Sequence, residues 1–425
     1  MIAKMQCAAA VAAVVGLALG TSVAAQAEGL KLTVWHNTQD TPAVLGLYKA
    51  YEEHSGNTIE LVDIPADDFQ ATTLTKWASG DRPDILEYFP NLANLDRLNP
   101  SQNLIDLSDE DFVGRSAIYD LGGRASDGKV YAAITTFPET WGLYYNKQVL
   151  ADHGLEPATT FEEVLAQCAV LSKAGITTLH QAGGSSWPVY ATPLVYASGV
   201  TEPGWVDDVI AQKARFDDLD SPWVLAMQAW IDMKDAGCYN SDMTTATFEQ
   251  STNAVYAGEA AYQMIHSNIA AVYLDAAGGD ADALDAAVGF VGVGATEPKT
   301  VMNAGPIGSF MAPKTGDDAQ EAAALDFIRF VTGEGYPDYI QASGTFPIQD
   351  GVPAPDASQL LKDIKAAYDK GPRVILINQN VPGGDGNGLQ VVSELSVGQL
   401  TPVEAGGQLQ QGVAAAAQAL GLPGW

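Results

Sequence analysis

The chain has 425 residues, a formal net charge of −31 and an apolar fraction of 47%. A protein this acidic repels phosphate backbones and anionic lipids, which excludes nucleic acid and anionic membrane surfaces as partners. The length exceeds what one hydrophobic core usually organises, so we expect two domains.

The first 27 residues have the pattern of a cleaved signal peptide. Lys4 precedes an apolar stretch over residues 7–19, and Ala25-Gln26-Ala27 supplies small residues at a cleavage site before Glu28. The apolar stretch is shorter than the about 20 residues that a membrane span needs. We therefore predict a signal peptide over residues 1–27 and export of the mature protein to the periplasm. An uncleaved membrane anchor is the alternative.

The residues after the signal peptide alternate between strand and helix patterns. Residues 30–36 alternate as a strand, 42–54 place apolar side chains on one helical face, and 59–64 form a second strand pattern. A helix is predicted over 71–79 and a third strand over 85–89. This βαβαβ order is typical of a parallel sheet covered by helices, so we predict an α/β fold.

Capping signals mark helices in the rest of the chain. Thr160-Phe161-Glu162-Glu163 and Thr401-Pro402-Val403-Glu404 are capping boxes, and Ser221-Pro222 begins a further helix. The Gly-rich run over 382–388 is too short for a linker and is predicted to be a loop. Because no linker divides the chain, we expect two lobes joined by several chain crossings.

Two cysteines, Cys168 and Cys238, remain after the predicted cleavage. An oxidising compartment permits a disulfide between them. Cys168 also stands at helical spacing with Val164 and Leu171, as a buried apolar residue does. The sequence leaves both interpretations open.

The sequence contains no compact signature of an enzyme or a metal site. No histidine has a second ligand at metal-binding spacing, and the nucleophile-elbow, P-loop and dinucleotide patterns are absent. We therefore expect no metal, no cofactor and no catalytic residue. A secreted carbohydrate-active enzyme is the alternative from a different class, because its carboxylate pair can lie anywhere among 52 acids.

Short segments spread along the chain occur in a recognisable order, and they are 32–35, 78–85, 127–131, 141–147, 160–163, 322–332, 344–347 and 398–405. The most specific are Asp127-Gly128-Lys129-Val130-Tyr131 and Trp141-Gly142-Leu143-Tyr144-Tyr145-Asn146-Lys147. Together the segments resemble the family 1 extracellular solute-binding proteins of ABC importers, the group that contains maltose-binding protein. The resemblance implies a monomer that captures a mono- or oligosaccharide and delivers it to the membrane permease by hinge closure. A carrier of another polar solute, such as a polyamine, is an alternative.

The resemblance also implies a periplasmic-binding-protein-like α/β fold, with a ligand cleft between two lobes that are joined by three hinge crossings. The crossings are expected near Glu139, at 288–294 and at 341–345. The N-lobe is then 28–138 plus about 290–340, and the C-lobe is 139–289 plus about 341–425. Ligands of open α/β sheets lie beyond the carboxyl ends of the strands, so loops at those ends should line the cleft.

A sugar offers hydroxyls at its edge and an apolar C–H face, which calls for carboxylates, amides and aromatic rings. Trp187 and Tyr190 are the leading aromatic candidates, because the glycine-flanked segment 183–190 is predicted to be an exposed loop. At positions where the resembled family binds ligand, the chain has His36, Asn37, Gln39, Asp40, Tyr88, Asn91, Glu139 and Asn268. Trp141 is a candidate because it lies beside Glu139 at the first crossing. Further candidates on late loops are Asn303, Asp385 and Asn387.

Several of these candidates have an equally ordinary structural role. The residues around Asp40 suit the cap of the next helix, and Trp141 suits packing within a strand. Many relatives carry Gly-x-Trp where this chain has His266-Ser267-Asn268. The resemblance therefore does not imply specificity for maltose.

Overall fold

The computed structural model describes residues 29–38, 40–65, 68–185, 187–304, 308–381, 387–419, 421 and 424–425. The predicted signal peptide over 1–27, the candidates Gln39 and Asp385, and residues 382–386 of the Gly-rich run lie outside the described residues. Within the described part, no helix has both the length and the apolar character that crossing a bilayer requires.

Strands and helices alternate along the described chain. The strands are β1 Lys31–Asn37, β2 Thr58–Ile64, β3 Ile85–Glu87, β4 Ala133–Ile134, β5 Glu139–Asn146, β6 Thr177–Leu179, β7 Ala260–His266, β8 Val288–Gly292, β9 Thr300–Asn303, β10 Ser309–Met311 and β11 Arg373–Ile375. The helices are α1 Pro42–Ser55, α2 Phe69–Ala78, α3 Leu92–Arg97, α4 Pro100–Asn103, α5 Lys147–Asp152, α6 Phe161–Leu171, α7 Trp187–Val200, α8 Trp205–Ile210, α9 Pro222–Asp235, α10 Phe248–Ala257, α11 Ala270–Ala276, α12 Ala281–Ala287, α13 Asp318–Val331, α14 Tyr336–Ser343, α15 Gln359–Lys370, α16 Gly388–Ser396 and α17 Pro402–Ala419. The predicted order through β3 is confirmed.

The first sheet has the strand order β2-β1-β3-β10-β4. β1 pairs in parallel with β2 and β3, while β10 runs antiparallel to both β3 and β4. Leu32, Val34 and Ile85 are buried on this sheet with Tyr48 of α1 and Phe327 of α13. The carboxyl ends of β1, β2 and β3 therefore lie along one edge.

The second sheet has the order β11-β9-β5-β7-β6, and β8 also pairs with β5. β5 is antiparallel to β7, β8 and β9, whereas β6 is parallel to β7 and β11 is parallel to β9. The amino end of β5 thus lies at the same edge as the carboxyl ends of β6, β7, β9 and β11. The α/β class predicted from the sequence is confirmed by these two helix-covered sheets.

The chain passes between the two sheets at several points. It leaves the first sheet after Ile134 and enters the second at Glu139, and it returns between Asn303 and Ser309. A third passage lies between α14, which packs on α1, and α15, which packs on β8.

The crossing expected at 288–294 is wrong, because these residues contain β8 and pair with β5 in the second sheet. The glycines of β8 serve close packing. A Cβ atom at Gly289 would stand 2.4 Å from Cζ of Tyr145. Glycine in a strand often marks such a close approach, which the sequence alone does not distinguish from a bend.

The predicted capping boxes form at both helices. Thr160 caps α6 with Glu163, and Thr401 exchanges the corresponding hydrogen bonds with Glu404 before α17. A disulfide joins Cys168 of α6 to Cys238, which follows α9, with Cα atoms 5.1 Å apart. Both cysteines are buried. The bond therefore ties two helices inside the core of the second sheet.

Candidate functional site

The carboxylate of Glu139 is hydrogen-bonded to two side-chain amides at one edge of the second sheet, the edge where the chain passes to and from the first sheet. Glu139 is the first residue of β5, and its Oε1 accepts a 2.8 Å hydrogen bond from Nδ2 of Asn268. Its Oε2 accepts a 3.0 Å hydrogen bond from Nδ2 of Asn303. The two donors fix the direction of the carboxylate, as charge-assisted bonds do. Three candidates that are distant in sequence are thus brought together.

His266, which the sequence analysis did not select, lies between this carboxylate and the aromatic residues. It is the last residue of β7, and its Nδ1 is 3.8 Å from Oε1 of Glu139. Its ring centroid lies 5.2 Å from that of Trp141 and 5.5 Å from that of Trp187. The available signal was its place at the carboxyl end of a strand, directly before the turn that carries Asn268.

Trp187 begins helix α7 and is not part of an exposed loop. Residues 183–185 form a 3-10 turn, so the predicted loop over 183–190 is wrong. The flanking glycines allow close packing, since a Cβ atom at Gly183 would lie 2.5 Å from the carbonyl oxygen of Met243. The Trp187 ring is half-buried and lies 5.8 Å from Phe248. Trp187 and His266 therefore form an aromatic wall beside Glu139.

The other two aromatic candidates near this sheet belong to its hydrophobic core. Tyr190 is 7% exposed and its ring stacks on that of Trp223 at 5.9 Å. Trp141 is 9% exposed and pairs with His266 across β5 and β7. Tyr190 follows Trp187 by almost one helical turn, but its ring packs against α9, on the inner side of the helix.

The candidates on the first sheet have mainly architectural contacts. Tyr88 is 1% exposed, with its ring 5.4 Å from that of Phe89. Asn91 caps α3 by accepting a 3.0 Å hydrogen bond from the amide of Asn94. Asn37 ends β1, at the edge that faces the passages. Asn387 directly precedes α16 and donates a 3.0 Å hydrogen bond to the carbonyl of Gln408 in α17.

A buried polar network lies just below the end of β1. Nδ1 of His36 is 2.6 Å from Oδ2 of Asp40, whose side chain has no exposed surface. Glu87 of β3 receives a 3.2 Å hydrogen bond from the hydroxyl of Tyr48. Burial, and then the neighbouring charge of Asp40, raise the pKa of the Glu87 carboxyl well above its ordinary value. The sequence analysis missed Glu87, although an acid inside the apolar run 85–89 was a usable signal.

A groove of about 1270 Å³ is lined by parts of α3, α8 and β11 and by the turn segment 119–128, and its lining includes Arg97, Arg124 and Arg373. None of the described candidate residues lines it. The carboxylate and aromatic wall at Glu139 carry the donors, acceptors and ring face that a polar ligand needs. We therefore take Glu139 and its neighbours as the candidate site.

Residues 36–336 match the family model described as bacterial extracellular solute-binding protein. This segment includes every candidate described above except Asn387. No curated protein matches the chain by sequence.

Solved structures share this fold at low sequence identity. A chitin oligosaccharide binding protein aligns with a TM-score of 0.74 and 20% identity, over 92% of this chain and 100% of that chain. Apo RafE from Streptococcus pneumoniae aligns with a TM-score of 0.71 and 16% identity, over 92% and 98%. The bacterial solute receptor AcbH aligns with a TM-score of 0.72 and 16% identity, over 93% and 98%. These alignments confirm the predicted periplasmic-binding-protein-like fold.

Proposed function

Because the chain belongs to the bacterial extracellular solute-binding proteins, we propose that it is the substrate-binding component of an ABC importer and that its ligand is a carbohydrate. The observation that carries this proposal is the Glu139 carboxylate, oriented by Asn268 and Asn303 beside the wall of Trp187 and His266. The carboxylate suits sugar hydroxyls, and the ring suits the C–H face of a sugar.

Proteins of the same fold support a saccharide as ligand. One is described as binding chitin oligosaccharide, RafE has been solved in complex with raffinose, and AcbH is described as preferring β-D-galactopyranose. We propose a mono- or oligosaccharide for this chain on the same grounds, since its site offers the matching chemistry.

Delivery is proposed to occur by hinge closure. We take each sheet with its helices as one lobe of a monomer and the three passages as the hinge. A ligand that contacts both lobes favours the closed state, and this state would dock on the permease. The proposal includes secretion to the periplasm after removal of residues 1–27, which suits a family of extracellular binding proteins.

The rival function is a secreted carbohydrate-active enzyme. The family consists of binding proteins, so we propose that this chain releases its sugar unchanged. Binding and turnover make opposite predictions for one experiment, because a carrier returns its ligand intact while a hydrolase accumulates product.

The test is a thermal-shift screen of the mature protein with monosaccharides, oligosaccharides, polyols and polyamines. A ligand at about 100 times its Kd should stabilise the fold by about 2.7 kcal/mol. A sugar that raises the melting temperature is then incubated with the protein for a day and analysed by chromatography. Intact sugar supports the carrier. Stabilisation by a polyamine alone, or the appearance of product, contradicts the proposal.

A further inference from the structure

Three ionisable side chains meet in the interior below the end of β1. His36 and Asp40 contact each other at 2.6 Å, and one oxygen of the Glu87 carboxyl lies within 4.8 Å of an oxygen of Asp40. His36 is 6% exposed and Glu87 is 3% exposed. Among the described residues, Oδ1 of Asp40 is buried and has no backbone or side-chain N–H donor. A buried carboxylate oxygen without a donor is costly, so the site needs a proton there.

The same Glu87 carboxyl reaches the hinge. Its Oε1 accepts a 3.0 Å hydrogen bond from the amide of Gly308, in the passage between β9 and β10. The carbonyl of Gly308 accepts two hydrogen bonds from Thr135, one from Oγ1 at 2.6 Å and one from the amide at 3.0 Å. Thr135 lies in the passage from β4 to β5. One carboxyl is therefore linked to the end of β1 and to two passages.

Burial and the charge of Asp40, which faces Glu87 from the segment after β1, favour the neutral form of Glu87. The hydroxyls of Tyr48 on α1 and Tyr339 on α14 also lie close to it. The hydrogen bonds from Gly308 and Tyr48 lower the pKa of Glu87, but burial and Asp40 outweigh them. His36 is paired with Asp40 rather than with Glu87. Two carboxyls packed together in the interior do not both ionise, because each charge opposes the other and water is excluded.

We propose that Glu87 is a positioning residue whose neutral carboxyl donates a hydrogen bond to Asp40 and so fastens the end of β1 to the hinge passage at Gly308. The proton satisfies Oδ1 of Asp40, while Oε1 of Glu87 accepts from the amide of Gly308 and Oε2 accepts from the hydroxyl of Tyr48. Asp40 itself is buried, so it acts on the ligand through the placement of β1 and not by contact.

A divalent cation is the competing occupant, because ligand atoms of His36, Asp40 and Glu87 all lie within 4.8 Å of one another. The contact between His36 and Asp40 argues against it. Two ligands bound at about 2.0 Å to a tetrahedral zinc ion stand roughly 3.3 Å apart. The observed 2.6 Å separation is that of a direct hydrogen bond.

The test compares Glu87→Gln, Glu87→Leu and the exposed control Glu53→Gln on α1. A carboxamide donates to Asp40 and accepts from Gly308 at every pH, so Glu87→Gln should keep sugar affinity within about threefold of wild type. Glu87→Leu should lose about tenfold or more, because the end of β1 is no longer held. Wild-type affinity in a folded Glu87→Leu protein overturns the positioning role.

Melting temperature against pH gives a second readout that does not need the sugar or the leucine variant. A carboxyl with a raised pKa contributes stability that is fully present below its ordinary pKa and is lost as pH rises through the folded value. As pH rises above the ordinary pKa of a glutamate carboxyl, wild type should therefore lose stability relative to Glu87→Gln, while Glu53→Gln should follow wild type. A difference that does not change with pH overturns the proposal.

Elemental analysis of the purified protein separates the two occupants. We expect less than a tenth of an equivalent of any transition metal, since a proton suffices at the site. If wild type contains one equivalent of a metal and Glu87→Gln contains none, a metal ion and not a proton occupies the site, and the proposal is overturned. The measurement of sugar affinity rests on the proposed function, whereas the measurements of melting temperature against pH and of metal content do not. Failure to bind any sugar therefore remains distinguishable from failure of the network.

Discussion

Glu139 and Asn303 stand opposite each other in the pairing of β5 with β9, and the amide of Asn303 donates a 3.0 Å hydrogen bond to the Glu139 carboxylate. Glu139 comes directly after one passage between the sheets, and Asn303 comes directly before another. The carboxylate proposed to bind the sugar is therefore fixed by the two strands that connect to the hinge.

Asn303→Asp should weaken sugar binding and make it dependent on pH. The variant places a second carboxylate against Glu139, and like charges in contact repel. We expect a loss of about 1–3 kcal/mol at neutral pH, with recovery as the pH falls and one carboxyl is protonated. Calorimetric titration at several pH values measures this. An affinity that stays low across the whole range would contradict the charge argument.

Trp187→Ala should remove the ring that we place against the sugar. Stacking of an aromatic ring on a ligand contributes about 1–3 kcal/mol, so Kd should rise accordingly. Trp205→Phe in α8 provides the control, because Trp205 packs on Phe216 and not on the wall at His266. Unchanged affinity in Trp187→Ala, measured by calorimetry, would remove Trp187 from the site.

Gly308→Ala should destabilise the protein more than Gly316→Ala. Both glycines have positive φ, at 67° and 85°, which costs an alanine about 1–2 kcal/mol. A Cβ atom at Gly308 would also stand 2.9 Å from Oγ1 of Thr135, whereas nothing lies within 4 Å of one at Gly316. Urea denaturation of the two variants isolates the steric contribution. Equal losses of stability in the two variants would mean that the backbone around Gly308 accommodates the added methyl group without a steric penalty.

The disulfide between Cys168 and Cys238 should stabilise the second lobe. It joins residues 70 positions apart, and loss of such a bond typically costs about 2–5 kcal/mol. Reductant should lower the melting temperature of the wild type and leave a Cys168→Ala, Cys238→Ala double variant unaffected. Titration of the unreduced, unfolded wild type should find no free thiol from this pair. Two free thiols would show that the bond is absent in the purified protein.

Hinge closure should be visible as a contraction when the sugar binds. Small-angle X-ray scattering should give a smaller radius of gyration with saturating sugar than without it, because the ligand favours the closed state. Trp187→Ala at the same sugar concentration supplies a control with weakened binding. An unchanged radius with calorimetrically proven binding would contradict closure.

Local patterns in the sequence predicted local structure well. The order of elements through β3 and both capping boxes followed from apolar periodicity and from residues a few positions apart. The resemblance predicted the fold correctly, but it placed the second passage at 288–294, whereas the chain passes between the sheets after Asn303. A glycine such as Gly289 suits a hinge as well as a strand that packs closely on another residue. Only its contact with Tyr145 in the structure shows that it belongs to a strand.

The candidate site was predictable where ligand-type residues lie at or next to the ends of strands. Glu139, Asn268 and Asn303 were all selected, and the structure joins them across 129 and 164 residues. Tyr190 was misplaced because exposure of a ring depends on which face of α7 packs on α9. The acid inside the apolar run 85–89 marked Glu87 as unusual, but its role comes from Asp40 after β1, Tyr48 on α1 and the passage at Gly308, and no local pattern indicates these partners.

The position of β10 between β3 and β4 imposes an order on folding. These three strands are neighbours in the sheet, yet β10 follows β4 by more than 150 residues of chain. Until Ser309–Met311 has been synthesised, β3 and β4 present unpaired apolar edges that can join another chain. A polypeptide truncated before this strand should therefore aggregate instead of folding as an independent half, and escorting chaperones would be needed most during that interval.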